Sequence, residues 1–152
     1  MEVDDISEVI DWHPPAIVTK TGELLLVPRT EVDGLQALCR ENSISFTQRY
    51  DVWGGLLDPF LDTEFSSEDQ AENRGRLKER GLLTDGEIDA TRAKVEHKML
   101  WLTGLTWEWQ HYGLSHVLVA MKPKTWIGRK KWLAFYSEAM EISRRGISGI
   151  EL

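Results

Sequence analysis

One cysteine, Cys39, stands among 152 residues, so no intrachain disulfide can form and a reducing, cytoplasmic setting is expected. Neither G-x-x-x-x-G-K-[ST] nor G-x-G-x-x-G occurs, so no glycine loop is laid out to cradle a phosphate. The G-x-S-x-G elbow of serine hydrolases is also missing. Ser115 beside His116 is not a triad, because adjacent side chains rarely face each other and a triad needs three converging roles. The longest uncharged apolar stretch, residues 99–107, falls far short of the ~20 residues a membrane span needs. Residues 1–5 lack the basic and apolar regions of a secretory signal, and residues 149–152 carry no lipidation motif. A soluble cytoplasmic protein with no membrane segment is the expectation. Internal repeats and low-complexity stretches are absent as well.

What is present is ordinary globular material: 41% hydrophobic and 28% charged residues, enough for one packed core without staples. The charge is uneven. Residues 1–65 hold 4 basic and 13 acidic side chains, whereas residues 122–152 hold 7 basic and 3 acidic ones. The net charge of −7 argues against a default nucleic-acid binder, whose affinity rests on phosphate neutralisation. It fits a partner protein with a basic surface better, since opposite fields speed encounter.

The hydrophobic pattern predicts an α+β fold: a small N-terminal hairpin or three-stranded sheet, then a predominantly helical C-terminal two-thirds. A single domain over residues 1–152 is expected, with a sheet-containing part (1–50), a helical part (51–145) and a frayed tail (146–152). Val3, Ile6, Val9 and Ile10 sit at helical spacing and predict a short acidic helix over residues 1–12, stopped by Pro14 and Pro15. Ala16-Ile17-Val18-Thr19 and Leu24-Leu25-Leu26-Val27 read as a hairpin with Gly22 in the left-handed turn position. Thr30 is a candidate cap for a helix carrying Val32, Leu35, Leu38 and Cys39. Residues 44–50 predict a third strand, parallel to the second strand of the hairpin through a right-handed crossover. Asp51 is a candidate cap for residues 52–57, and Ser66 or Ser67 for a polar helix ending at Gly81. Thr84-Asp85-Gly86-Glu87 is a capping box ahead of a stripe of Ile88, Thr91, Val95, Met99 and Leu102. Ser115 and Thr125 are candidate caps for two further helical segments.

Three places carry candidate chemistry. Trp53, Asp58, Phe60, Asp62 and Glu64 combine aromatic rings with acids around a glycine pair and Pro59. Interfaces favour aromatic anchors with charged rims, so this cluster is the expected partner-binding surface. Glu108 and His111 form an E-x-x-H on one helical face, and with His116 they are the alternative: ligands for one divalent transition metal in an enzyme of unassigned class. Otherwise no cofactor is expected. Lys122, Lys124, Arg129, Lys130 and Lys131 interleave with Trp126 and Trp132, which is the pattern of a nucleic-acid adaptor and the second alternative. Trp101, Trp107 and Trp109 crowd one helix; either this helix is central and buried all round, with Leu100 and Leu105 included, which is the favoured expectation, or one ring lines a pocket or interface. Cys39 falls on an apolar stripe and reads as a small core residue. The leading expectation is a cytosolic protein-binding module acting as an inhibitor, neutraliser or adaptor.

Overall fold

A computed structural model describes residues 2–60, 66–106 and 112–148, without the side chains at 103–106, 127 and 148. The fold is α+β, with four strands near the N-terminus and six α-helices among the described residues. The chain divides into two compact units, Met1–Arg49 and Tyr50–Leu152.

The first unit is built on a sheet of order β3-β2-β1-β4. A 3₁₀ turn, Val3–Asp5, leads into β1 (Ile6–Ile10), so the expected N-terminal helix is instead a strand. The physical reason lies in a bulge. The β1–β2 register shifts between Ile6 and Glu8, and the extra residue lets Ile6 and Val9, three apart, join the same hydrophobic cluster. A bulged strand thereby imitates helical spacing. β2 (Ala16–Thr19) and β3 (Leu24–Leu26) form the expected hairpin. Gly22 turns it with φ of +82°, a region that favours glycine. The Thr19 N–H donates to the Glu23 carbonyl across the turn.

α1 (Val32–Glu41) covers one face of this sheet, with Leu35 and Cys39 against Ile6, Val9 and Ile17. Thr30 does not cap it. Residues Arg29–Glu31 form a 3₁₀ turn, and no side chain caps the helix at Glu31. β4 (Phe46–Thr47) is only two residues long and pairs parallel with β1, not with β3, the second strand of the hairpin, as expected. Once residues 6–10 form a strand, β1 offers the free edge, and the hairpin's second strand stays an edge of its own. The Thr47 hydroxyl donates to Glu8 at 2.5 Å, and Arg49 pairs with the same carboxylate at 3.2 Å, which fastens β4 to β1.

The second unit is helical. Asp51 caps α2 (Val52–Leu57) by accepting from the Gly54 N–H, as expected, and a 3₁₀ turn, Asp58–Phe60, follows. Ser66 opens α3 (Ser67–Glu79) with a capping box to Asp69. Thr84 opens α4 (Asp85–Thr106) with a capping box to Glu87. α5 (Leu114–Met121) starts after Gly113 and not after Ser115. A 3₁₀ turn, Trp126–Gly128, precedes α6 (Arg129–Ser148), and the Thr125 side chain makes no capping bond. α6 continues through Gly146, where the sequence suggests fraying. Gly146 is buried against the backbone of Tyr50, and that packing holds the last turns.

α2 is the hub of this unit, packed by α3, α4 and α6. Trp53, Leu56 and Leu57 are buried there with Leu77, Ile88, Val95, Met99 and Ala139. The Trp53 indole N–H donates to the Ala139 carbonyl at 3.0 Å, which satisfies the polar atom that a buried tryptophan carries. The carbonyls left without intrahelical partners at the end of α2 are also satisfied. Arg92 donates to Leu56 O at 3.1 Å, and Asn73, fully buried, donates to Gly55 O at 3.0 Å and to Asp58 at 2.9 Å. Arg92 donates in turn to the Asn73 oxygen at 2.7 Å. Side chains from α3 and α4 therefore do the C-terminal capping that a lone helix would leave to water.

Candidate functional site

The acidic-aromatic cluster read from the sequence does not form a surface around Trp53. That ring is 1% exposed, sits edge-on to Phe135 at 6.1 Å and is bonded to α6, so it is core. Asp58 spends an oxygen on Asn73, and Phe60 is half-buried in the 3₁₀ turn. Asp62 and Glu64 lie outside the described residues. The costly mixture of glycines, proline and aromatics marks tight packing: a Cβ at Gly55 would collide with the Tyr50 hydroxyl. That hydroxyl is buried without a hydrogen-bond partner among the described residues, and burial pushes its pKa up to about 12.

Of the metal-ligand candidates, Glu108 and His111 lie outside the described residues. His116 is a helix-start residue. Its Nδ1 accepts from the Gly113 N–H at 3.2 Å, with the Ser115 hydroxyl at 3.3 Å and the Tyr112 ring edge-on at 5.0 Å. An Nδ1 that accepts leaves the proton of the neutral ring on Nε2, so metal ligation would require that cap to be broken. No group of three potential ligands clusters among the described residues. Cys39 is buried on the inner face of α1, and desolvation raises its thiol pKa, as suits a core residue.

A different site emerges where the second half of α4, the end of α5 and the start of α6 meet. These segments enclose a groove of about 750 Å³. Its apolar lining includes Leu102, Val119, Met121, Trp132 and Phe135. Its polar lining is cationic: Lys98 from α4, Lys122 and Lys124 from the α5–α6 connection, and Lys131 from α6, with His97 beside them. No carboxylate lines it among the described residues. None of these four lysines makes an ion pair with a described residue, whereas Lys94, one turn earlier on α4, is paired with Glu138 at 2.7 Å.

Trp101 stands at this groove and is 60% exposed, so α4 is not buried all round; Leu100 is exposed too. Leu105, Trp107 and Trp109, invoked for the same expectation, belong to the part whose side chains are not described. The Lys124 ammonium lies 5.9 Å from the Trp101 ring centre, within cation–π range. Trp126, in the 3₁₀ turn before α6, is 85% exposed. Trp132 is held more firmly, packed at a tilt against Tyr136 with ring centres 5.4 Å apart, and its N–H is directed at the Leu118 carbonyl at 3.5 Å.

The sequence reading took in Lys122, Lys124, Lys131, Trp126 and Trp132 as one basic segment. It missed Lys98, Val119 and Met121, whose role depends on two other helices, and favoured a buried place for Trp101. The available signal was Trp101 itself, two residues from the buried Met99 and therefore about 200° around the helix. Comparison with protein-family models, with curated proteins and with solved structures finds no match. No helix among the described residues is long and apolar enough to cross a membrane.

Proposed function

We propose that the chain is a non-catalytic protein-binding module, of the inhibitor, neutraliser or adaptor kind, and that its docking face is the lysine- and tryptophan-lined groove of the helical unit. The observation that carries this reading is the open Trp101 ring beside exposed Val119, set in a concave apolar surface rimmed by lysines that form no ion pair among the described residues. A large ring held in water on a stable helix gains most when a partner covers it, and binding hot spots favour tryptophan for that reason. The partner's complementary charge at this groove is negative, opposite in sign to the basic partner that the acidic N-terminal half suggests.

The test is a native mass measurement of tagged chain drawn from its own cell lysate in low salt, run beside a Trp101→Glu/Val119→Glu variant. Both positions are exposed, so the double variant keeps its fold. A stoichiometric protein adduct on the unaltered chain that disappears from the variant supports the reading. An adduct of equal occupancy on both removes the groove from the function, and a chain that carries a metal or small molecule in place of a protein overturns the reading.

A further inference from the structure

We infer that the groove accepts an acidic, amphipathic peptide segment of the partner, its carboxylates placed against Lys98, Lys122, Lys124 and Lys131 and its apolar side chains against Trp101, Val119 and Met121. This rests on the protein-binding reading above and adds the chemistry of the occupant.

Two features of the lining select that occupant. The charge is of one sign and meets no carboxylate among the described residues, so each lysine gains an ion pair that no described neighbour already supplies. The remainder is aliphatic and aromatic surface from three helices, which suits leucine-like side chains at the spacing an amphipathic segment presents. A purely acidic tail would leave that surface wet, and a purely apolar one would leave the ammonium groups without partners.

A single-stranded nucleic acid shares the negative charge but fits less well. Stacking needs open ring faces in series, and here Lys124 approaches the Trp101 ring and Trp132 packs at a tilt against Tyr136, which leaves Trp126 as the freely exposed ring. A long polyanion also runs beyond the groove onto a chain whose net charge is −7. A short peptide answers mainly to the local lysines, because charges farther off than about 8 Å are largely screened at physiological salt.

The test uses the full chain and four fluorescein-labelled probes of similar length. They are a peptide of repeated Glu-Glu-Leu-Leu, the same with Ser for Leu, the same with Lys for Glu, and an oligothymidine. The Glu/Leu peptide is expected to bind best, with affinity falling about tenfold or more between roughly 50 and 300 mM salt. A Lys122→Glu/Lys124→Glu variant, altered at exposed positions, is expected to lose about tenfold or more at unchanged thermal stability, and the Lys122→Gln/Lys124→Gln variant to lose less. Equal binding of the Lys/Leu peptide, equal binding of the Glu/Ser peptide, or tighter binding of the oligothymidine overturns the inference. So does self-association of the chain alone that the charge reversal abolishes, since the occupant would then be a second copy. The two readings separate cleanly. If the Glu/Leu peptide fails while the lysate adduct still depends on Trp101 and Val119, the occupant is wrong and the docking face stands. If the adduct is also indifferent to the groove, both fall.

Discussion

Two helical glycines in the same unit are expected to respond to alanine with opposite signs. Gly75 lies exposed on α3, with nothing within 4 Å of the position a Cβ would take. Gly146 lies buried on α6, where a Cβ would press on the Tyr50 carbonyl oxygen and approach Val52 Cγ2 to 2.7 Å. Alanine is favoured over glycine in a helix interior by about 1 kcal/mol, largely because the unfolded chain loses freedom. Gly75→Ala should realise most of that gain. At Gly146 the same gain is opposed by overpacking, which costs about 1–3 kcal/mol where neighbours cannot yield. The Tyr50 carbonyl is backbone and cannot rotate aside, so the upper part of that range applies. The net expectation for Gly146→Ala is a loss of about 1–2 kcal/mol, and the two variants should stand about 2–3 kcal/mol apart. For a unit of this size that corresponds to a separation of very roughly 10–20 °C in melting temperature. Urea unfolding followed by circular dichroism measures both, and unchanged m-values keep the comparison one of stability. A Gly146→Ala protein as stable as the parent would refute the close approach of α6 to Tyr50, and a destabilised Gly75→Ala would refute the propensity argument.

The capping of α2 supplies a second prediction. Asn73→Leu removes the amide that serves Gly55 O, Asp58 and Arg92 together, leaving buried polar atoms unmatched, and should cost about 2–4 kcal/mol in the same urea assay. A loss under about 0.5 kcal/mol would show that water or rearrangement replaces the network. Glu87 predicts a pH effect. Hydrogen bonds from Thr84 and the Arg145 guanidinium hold its carboxyl at about 2, below the ordinary 4.5. The folded chain thus binds fewer protons than the unfolded one, so this contribution is present above pH 4.5 and is lost as pH falls towards 2. Glu87→Gln should flatten the acid side of the stability curve in that window, and an unaltered slope would sink the assignment. Cys39 should react with a thiol reagent only as fast as the first unit opens, because it is buried and its thiolate is disfavoured; prompt labelling of the native chain at pH 8 would contradict that.

Much of the local punctuation was legible. Asp51, Ser66 and Thr84 start helices in the structure because a cap is a contract between residues two or three apart, and nothing distant can easily annul it. The Ala16 to Leu26 hairpin was legible for the same reason, with Gly22 fixing the turn. The first twelve residues were not. Ile6, Val9 and Ile10 satisfy a helical period and a bulged strand equally, and pairing with β2 and with β4 decides between them. The placing of Trp53 on a surface failed in a similar way. Aromatic and acidic neighbours look alike in sequence whether they face a partner or a core, and only Ala139, 86 positions away, shows which holds here.

Local sequence was enough for the α+β class, the helix starts at Asp51, Ser66 and Thr84, the hairpin, the lone core cysteine and the gathering of basic residues after position 121. These follow from properties read within one or two turns of chain: periodicity, caps, turn residues and composition. The tertiary structure alone decided which strand takes the centre of the sheet, that Trp53 is core while Trp101 is open, and that Lys98 joins Lys122, Lys124 and Lys131 around one apolar hollow. Each of those depends on which helix or strand faces which. That choice is made by the total apolar area that all elements bury together, and no short window of sequence carries the sum.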